Sequence, residues 1–146
     1  MSTGATTKTL LKGGEFLIKE TDFNDVFTPR DVNEEQNAIR QTAVDFLETE
    51  VLTKPHLANE VDLETTKVLL EKMGELGLLG LAIPEEYGGF GQDFNTNSIV
   101  VEAMAKARSF TLSWGAHVGI GTLPIVYFGN EAQKQKYLPK LTSGEF

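Results

Sequence analysis

Between Phe110 and Pro124 the chain carries no aspartate, glutamate, lysine or arginine, although these four types make up 23% of its 146 residues. That stretch, Phe110-Thr111-Leu112-Ser113-Trp114-Gly115-Ala116-His117-Val118-Gly119-Ile120-Gly121-Thr122-Leu123-Pro124, is rich in glycine, alanine and serine. It reads as a helix from a cap at Ser109 across Leu112 to roughly Thr122, with Pro124 disturbing or ending it. A helix without a charged face is usually buried centrally, and its small residues let neighbouring groups approach closely. It is too short for the ~20 apolar residues of a membrane span. The rest of the chain must therefore fold around it, and 146 residues suit one domain.

The flanking segments are amphipathic helices. Asn33 and Gln36 fit a capping box, and Ile39, Ala43, Phe46, Leu47 and Val51 follow at the spacing of one apolar stripe bounded by Pro55. A second helix starts at Asp62, buries Val68, Leu69, Met73 and Leu76, and ends with Gly77 at its C′ position. A third begins near Asn95 or Thr96 with Ile99, Val100, Ala103, Met104 and Ala107 on its inner face. The last has Asn130 as cap, Gln133 three residues on, an inner stripe of Tyr137, Leu138 and Leu141, and Thr142-Ser143-Gly144 at its end. Between the second and third helices, Leu78 to Gly91 is dense in proline and glycine and reads as a fixed loop. The expectation is an all-α domain of about five main helices over residues 30–146.

Residues 1–29 read as an arm. Its first ten residues are small and polar, in the manner of unstructured termini. Gly13 to Ile18 suits either a short strand or an extended segment, and Thr28-Pro29-Arg30-Asp31 suits a capped helical turn. No apolar run of signal-peptide length follows a basic start, and the early acidic residues do not suit a mitochondrial leader. A cytoplasmic home is the default expectation.

Composition excludes several chemistries. No cysteine means no disulfide, thiol nucleophile or cysteine-ligated metal. Two isolated histidines, His56 and His117, are too few for a zinc site. A net charge of −8 disfavours nucleic acid and anionic lipid. Glu85 and Glu86 are adjacent in a loop and read as a solvated acidic turn rather than a converging acid–base pair. Gly119-Ile120-Gly121 lacks the strand and third glycine of a dinucleotide fingerprint. Lys134, Lys136 and Lys140 read as a solvated face. What remains is the uncharged helix, whose small residues and few polar groups (Ser113, His117, Thr122) suit either core or the wall of an apolar pocket.

Three segments carry a resemblance. Leu81-Ala82-Ile83-Pro84-Glu85-Glu86-Tyr87-Gly88-Gly89 resembles the hallmark loop of the acyl-CoA dehydrogenases. Gly121-Thr122-Leu123-Pro124-Ile125 with Gly129-Asn130-Glu131-Ala132-Gln133-Lys134 resembles the passage into the last helix of that family's N-terminal domain. Lys136 to Leu141 with Ser143-Gly144-Glu145 resembles the end of that domain, and Glu34-Glu35-Gln36 fits its opening. The Gly-Gly-Glu-Phe-Leu segment and Phe27-Thr28-Pro29 look like the longer-chain branch.

The resemblance implies the all-helical N-terminal domain of a FAD-dependent oxidoreductase of fatty acid β-oxidation. Such enzymes dehydrogenate fatty acyl-CoA at the α,β bond, pass electrons to an electron-transfer flavoprotein and assemble as homo-oligomers. The N-terminal domain supplies one wall of the acyl cavity. Carried over by position, Ser113, Ala116, His117, Ile120 and Gly121 face the acyl chain, with His117 a departure because its ring is polar. The flavin motif and the catalytic base belong to other parts of such an enzyme, so no catalytic, flavin-binding or metal-binding residue is expected within these 146 residues, and the chain alone is expected to be inactive. The competing reading is a non-catalytic helical module that binds an acyl group or a partner protein.

Overall fold

The computed structural model describes residues 11, 13–58 and 62–146. The expectation of an unstructured start, over residues 1–10, lies outside the described residues. The chain separates into two compact units, Met1–Asn33 and Glu34–Phe146.

In the first unit, Gly13 to Leu17 forms a 3-10 turn in place of the expected strand or extended segment, held by Lys19 N–H donating to the Glu15 carbonyl at 2.9 Å and a Lys19–Glu15 ion pair at 2.6 Å. The Leu11 amide donates to the Asp25 carbonyl at 3.0 Å. Phe23–Asp25 and Pro29–Asp31 are further 3-10 turns, and in the latter the Asp31 carboxylate accepts from both the Thr28 amide and the Thr28 hydroxyl, each at 2.7 Å.

Among the described residues the second unit holds six α-helices: α1 (Glu34–Phe46), α2 (Leu63–Glu75), α3 (Phe94–Met104), α4 (Ser109–Gly115), α5 (Leu123–Phe128) and α6 (Glu131–Ser143). No strand occurs among the described residues. A π-helical turn, Leu47–Val51, extends α1, and Pro55 opens a short 3-10 turn beyond it. Asp62 caps α2, accepting from the Thr65 amide at 3.1 Å and the Thr65 hydroxyl at 2.6 Å. The α3 helix starts at Phe94, beside the expected Asn95 or Thr96. Its cap is Asp93, whose carboxylate takes the Thr96 amide at 2.8 Å and hydroxyl at 2.7 Å. Asn130 and Gln133 close the capping box of α6, each amide donating to the other side chain at 2.9 Å.

The core joins Ala43, Phe46, Leu47 and Val51 to Leu69 and Met73 of α2. Val100, Met104, Phe110 and Trp114 complete it from α3 and α4, with the Phe46 and Phe110 rings 6.2 Å apart. Each such large apolar side chain contributes ~1.5–3 kcal/mol on burial. On α2 only the Leu69–Met73 stripe is fully buried. Val68 and Leu76, expected to be buried, are 50% and 47% exposed: Val68 is one residue, about 100°, off the stripe, and Leu76 is the C-cap beyond the last helical residue. A satellite cluster of Ile83, Tyr87 and Leu138 ties the central loop to α6.

That loop, residues 78–92, folds on itself. The amides of Phe90, Gly91 and Gln92 donate to the carbonyls of Gly80, Ile83 and Leu81 at 3.0, 2.8 and 2.7 Å. Gly88 takes a left-handed conformation with φ +86° that suits glycine. At Gly89 a Cβ would lie 2.1 Å from the Ile83 carbonyl oxygen, so the chain turns back on itself only because that atom is missing. Gly77, at φ +76°, ends α2 at the expected C′ position.

Candidate functional site

The uncharged segment does not form one continuous α-helix. Arg108 precedes it with φ 53° and ψ −118°, a conformation L-residues rarely adopt, and serves as the N-cap in place of Ser109, which is the first helical residue. The α4 helix covers Ser109 to Gly115. A π turn then runs from Ala116 to Gly121 before α5 begins at Leu123 with Pro124 in its first turn. Thr122 anchors the junction. It is 1% exposed, its amide donates to the His117 carbonyl at 3.1 Å and its hydroxyl donates to the same oxygen at 2.7 Å. A π turn inserts a residue into the ladder and is frequent at functional positions.

This segment is buried on one side only. Phe110 and Trp114, one turn apart, enter the core, and the Trp114 indole N–H points to the Leu78 carbonyl at 3.5 Å. On the opposite side Leu112 is 76% and Ile120 81% exposed, with the exposed Ala116 between them, so an apolar stripe at a four-residue spacing faces outward. The segment is thus apolar all round without being enclosed, in contrast to the expectation of central burial.

The residues singled out by resemblance divide accordingly. Ala116, Ile120 and Gly121 are exposed on or beside this stripe, and Ser113 is half-buried at its edge. His117 turns inward, with Nε2 2.8 Å from the Leu141 carbonyl of α6. A carbonyl only accepts, so Nε2 carries the proton. The ring is a tie between the π turn and the last helix.

A separate cavity of about 420 Å³ lies on another side of the same segment. Trp114, Gly115, Val118 and Gly119 form its floor, with Phe94 and Val101 of α3 among its walls. None of the five residues carried over by resemblance lines it. The phase that sends Phe110 and Trp114 inward places Gly115 and Val118 here, a distinction visible in sequence only once Trp114 is fixed as the core anchor.

Elsewhere the titratable groups serve the scaffold. The buried Tyr87 hydroxyl donates to Glu131 at 2.9 Å, and burial, with this bond second, pushes its pKa up to about 12. Bonds from Gln135 first and Tyr87 second hold the Glu131 carboxyl below its usual range. Glu85 and Glu86 are exposed, and His56 lies 3.6 Å from Asp62. Lys140 pairs with Glu145 at 2.7 Å and sits over the Phe146 ring. Among the described residues no group of three or more His, Cys, Asp or Glu could hold a metal ion. No described helix is long and apolar enough to cross a membrane.

Fold and site together define a helical domain with an uncharged, small-residue segment whose outward face is apolar. Comparison with known proteins gives this class its place. The family described as acyl-CoA dehydrogenase, N-terminal domain, matches residues 33–145, and the chain belongs to that family. It is 49% identical over 136 residues to a probable acyl-CoA dehydrogenase of Bacillus subtilis, covering 92% of this chain and 23% of that protein. A crystal structure of an acyl-CoA dehydrogenase complexed with FAD, from Bacillus anthracis, superposes with a TM-score of 0.84 at 47% identity over 92% of this chain and 23% of that one. The mitochondrial isovaleryl-CoA dehydrogenase of Bos taurus is 39% identical over 120 residues, 79% of this chain and 28% of that protein. The chain therefore spans about a quarter of the length of these relatives.

Proposed function

We propose that this chain is the N-terminal helical domain of a FAD-dependent acyl-CoA dehydrogenase, with residues 30–146 as the domain and residues 1–29 as an arm. Its role is to supply one wall of the acyl pocket. The observation that carries this reading is the outward stripe of Leu112, Ala116 and Ile120 on a segment without a single charged residue, in a chain otherwise rich in charge. Ser113 and Gly121 border the same wall, and the acyl chain lies against Ala116 and Ile120. His117 takes no part in that contact, because its ring is committed to Leu141. Its place in the wall is taken by the exposed Leu112.

The capped starts of α2, α3 and α6 and the cavity beside Trp114 are not suited to hold a flavin by themselves. A diphosphate needs free amide groups or cations, yet the first turns of α2, α3 and α6 are capped by Asp62, Asp93 and Asn130. The cavity has no lysine, arginine or histidine in its lining. No redox step is assigned to these residues. Their contribution is shape and exclusion of water along an alkyl chain. In the same proposal the parent enzyme acts in the cytoplasm as a homo-oligomer of fatty acid β-oxidation, with an electron-transfer flavoprotein as acceptor.

The test uses the protein encoded by the complete reading frame. Replacing Ala116 by Phe blocks the wall. The expected result is a loss of about tenfold or more in kcat/KM for long-chain acyl-CoA, with butyryl-CoA turnover kept within about twofold, since pocket shape discriminates by ~1–3 kcal/mol. Equal loss for both substrates, or no loss, refutes the wall assignment. Failure of the unmodified protein to oxidise any acyl-CoA refutes the activity.

A further inference from the structure

The cavity beside Trp114 belongs to no part of the role just described. It opens on a different side of the segment from Leu112, Ala116 and Ile120, and its volume of about 420 Å³ falls within the range of small-molecule sites. For scale, an apolar cavity of about 150 Å³ accommodates benzene. Its floor is open. A Cβ placed on Gly115 or Gly119 would meet no atom within 4 Å.

The polar groups around it are not evenly divided between donors and acceptors. The Ser98 hydroxyl donates to the Phe94 carbonyl at 2.9 Å, and the Thr111 hydroxyl donates to the Met104 carbonyl at 2.5 Å. Each hydroxyl has one proton, so both are left with lone pairs only. The Asn97 amide gives one N–H to the Asp93 carbonyl at 2.9 Å, and Gln92 gives one to the Glu35 carboxylate at 3.0 Å. One further N–H each of Asn97 and Gln92 and the Tyr127 hydroxyl remain as donors, and with no cationic side chain in the lining the oxygen lone pairs outnumber them.

We propose that this cavity is a binding site for a neutral amphiphile, an unbranched apolar chain ending in a hydrogen-bond donor such as an alcohol. The chain lies along Trp114, Gly115 and Gly119, and the head donates to the oxygens of Ser98 and Thr111. An anionic head is disfavoured, because the lining offers it no cation in exchange for its water. The site differs in this respect from one built for a fatty acid anion.

The experiment titrates the purified chain with 1-decanol and, separately, with decanoate, and follows backbone amide shifts by NMR. The expected result is saturable shifts at Ser98, Thr111 and Gly119 with 1-decanol, and binding of decanoate at least about tenfold weaker. Gly119→Leu, whose side chain enters the open floor, is expected to abolish the shifts while the circular dichroism spectrum is retained. If that variant does not fold, Ser98→Val, on an exposed position of α3, is expected to weaken decanol binding while leaving decanoate binding unaltered. Decanoate binding equal to or tighter than decanol overturns the proposal. So does an absence of saturable shifts, or a shift pattern confined to Leu112, Ala116 and Ile120. None of these results bears on the chain-length profile of the Ala116 variant, so the two readings fail separately.

Discussion

Gly74 lies in the body of α2, where alanine would normally be preferred. Helix propensity alone favours Gly74→Ala by ~1 kcal/mol. The packing of α2 against α6 opposes it. A Cβ at this position would stand 2.2 Å from the Ser143 carbonyl oxygen and 2.5 Å from its carbon. Both are backbone atoms at the end of α6, so no side chain can swing aside and the two helices must separate. Overpacking of this kind costs ~1–3 kcal/mol, and a backbone obstacle puts it at the upper end. Subtracting the propensity gain leaves a net loss of about 1–2 kcal/mol, or a fall in Tm of roughly 4–8 °C for a domain of this size. Gly115→Ala is the internal control. It is also helical but meets nothing within 4 Å, so it is expected to gain ~0.5–1 kcal/mol. Urea unfolding followed at 222 nm reads both variants as shifts in midpoint at constant slope. A Gly74→Ala midpoint at or above that of the parent refutes the argument from close approach.

Three further outcomes are expected. Arg108→Gly relieves a residue held at φ 53° and ψ −118°, and thermal unfolding should show a gain of about 0.5–2 kcal/mol despite the entropy of glycine. Thr96→Val leaves the buried Gln36 amide without the acceptor it reaches at 3.1 Å and Asp93 without a hydroxyl donor, so urea unfolding should show a loss of ~1–3 kcal/mol. Tyr87 has its folded pKa raised from 10.0 to about 12, so its contribution to stability is fully present below pH 10 and declines as pH rises from there through 12. In Tyr87→Phe that share of the alkaline decline in stability should be missing, which a series of denaturation curves between pH 9 and 12 would detect.

Much of this fold can be read from residue order because the signals are local. Asp62 and Asn130 cap where their own side chains dictate, and the Ala43–Phe46–Leu47 stripe follows helical spacing. The differences arise where two local signals compete or where distance matters. Around α3 several polar residues could cap, so residue order places the start only to within a residue or two, and Asp93 is chosen because Thr96 offers it both amide and hydroxyl. Ser109 looks like a cap, but the turn before it is fixed by the Arg108 backbone. Along the uncharged segment, charge patterning cannot give the helical phase. The π turn at Ala116–Gly121 shifts that phase again by a residue that no propensity marks. The cavity depends on α3 crossing the same segment, and no local pattern encodes that crossing.

A loop as dense in glycine and proline as residues 78–92 is where a protease cut or a domain hinge is commonly sought. Its backbone says otherwise. The Phe90, Gly91 and Gln92 amides are spent within the loop, and Leu78, Leu79, Leu81, Ile83 and Tyr87 are all buried. Cleavage needs a stretch of chain that can be drawn out into an extended conformation, and drawing this one out would break the contacts of both hydrophobic clusters at once. In hydrogen exchange its amides should therefore behave like those of helix interiors, opening only with the whole domain. The most glycine-dense part of the chain would be among the last to yield to digestion.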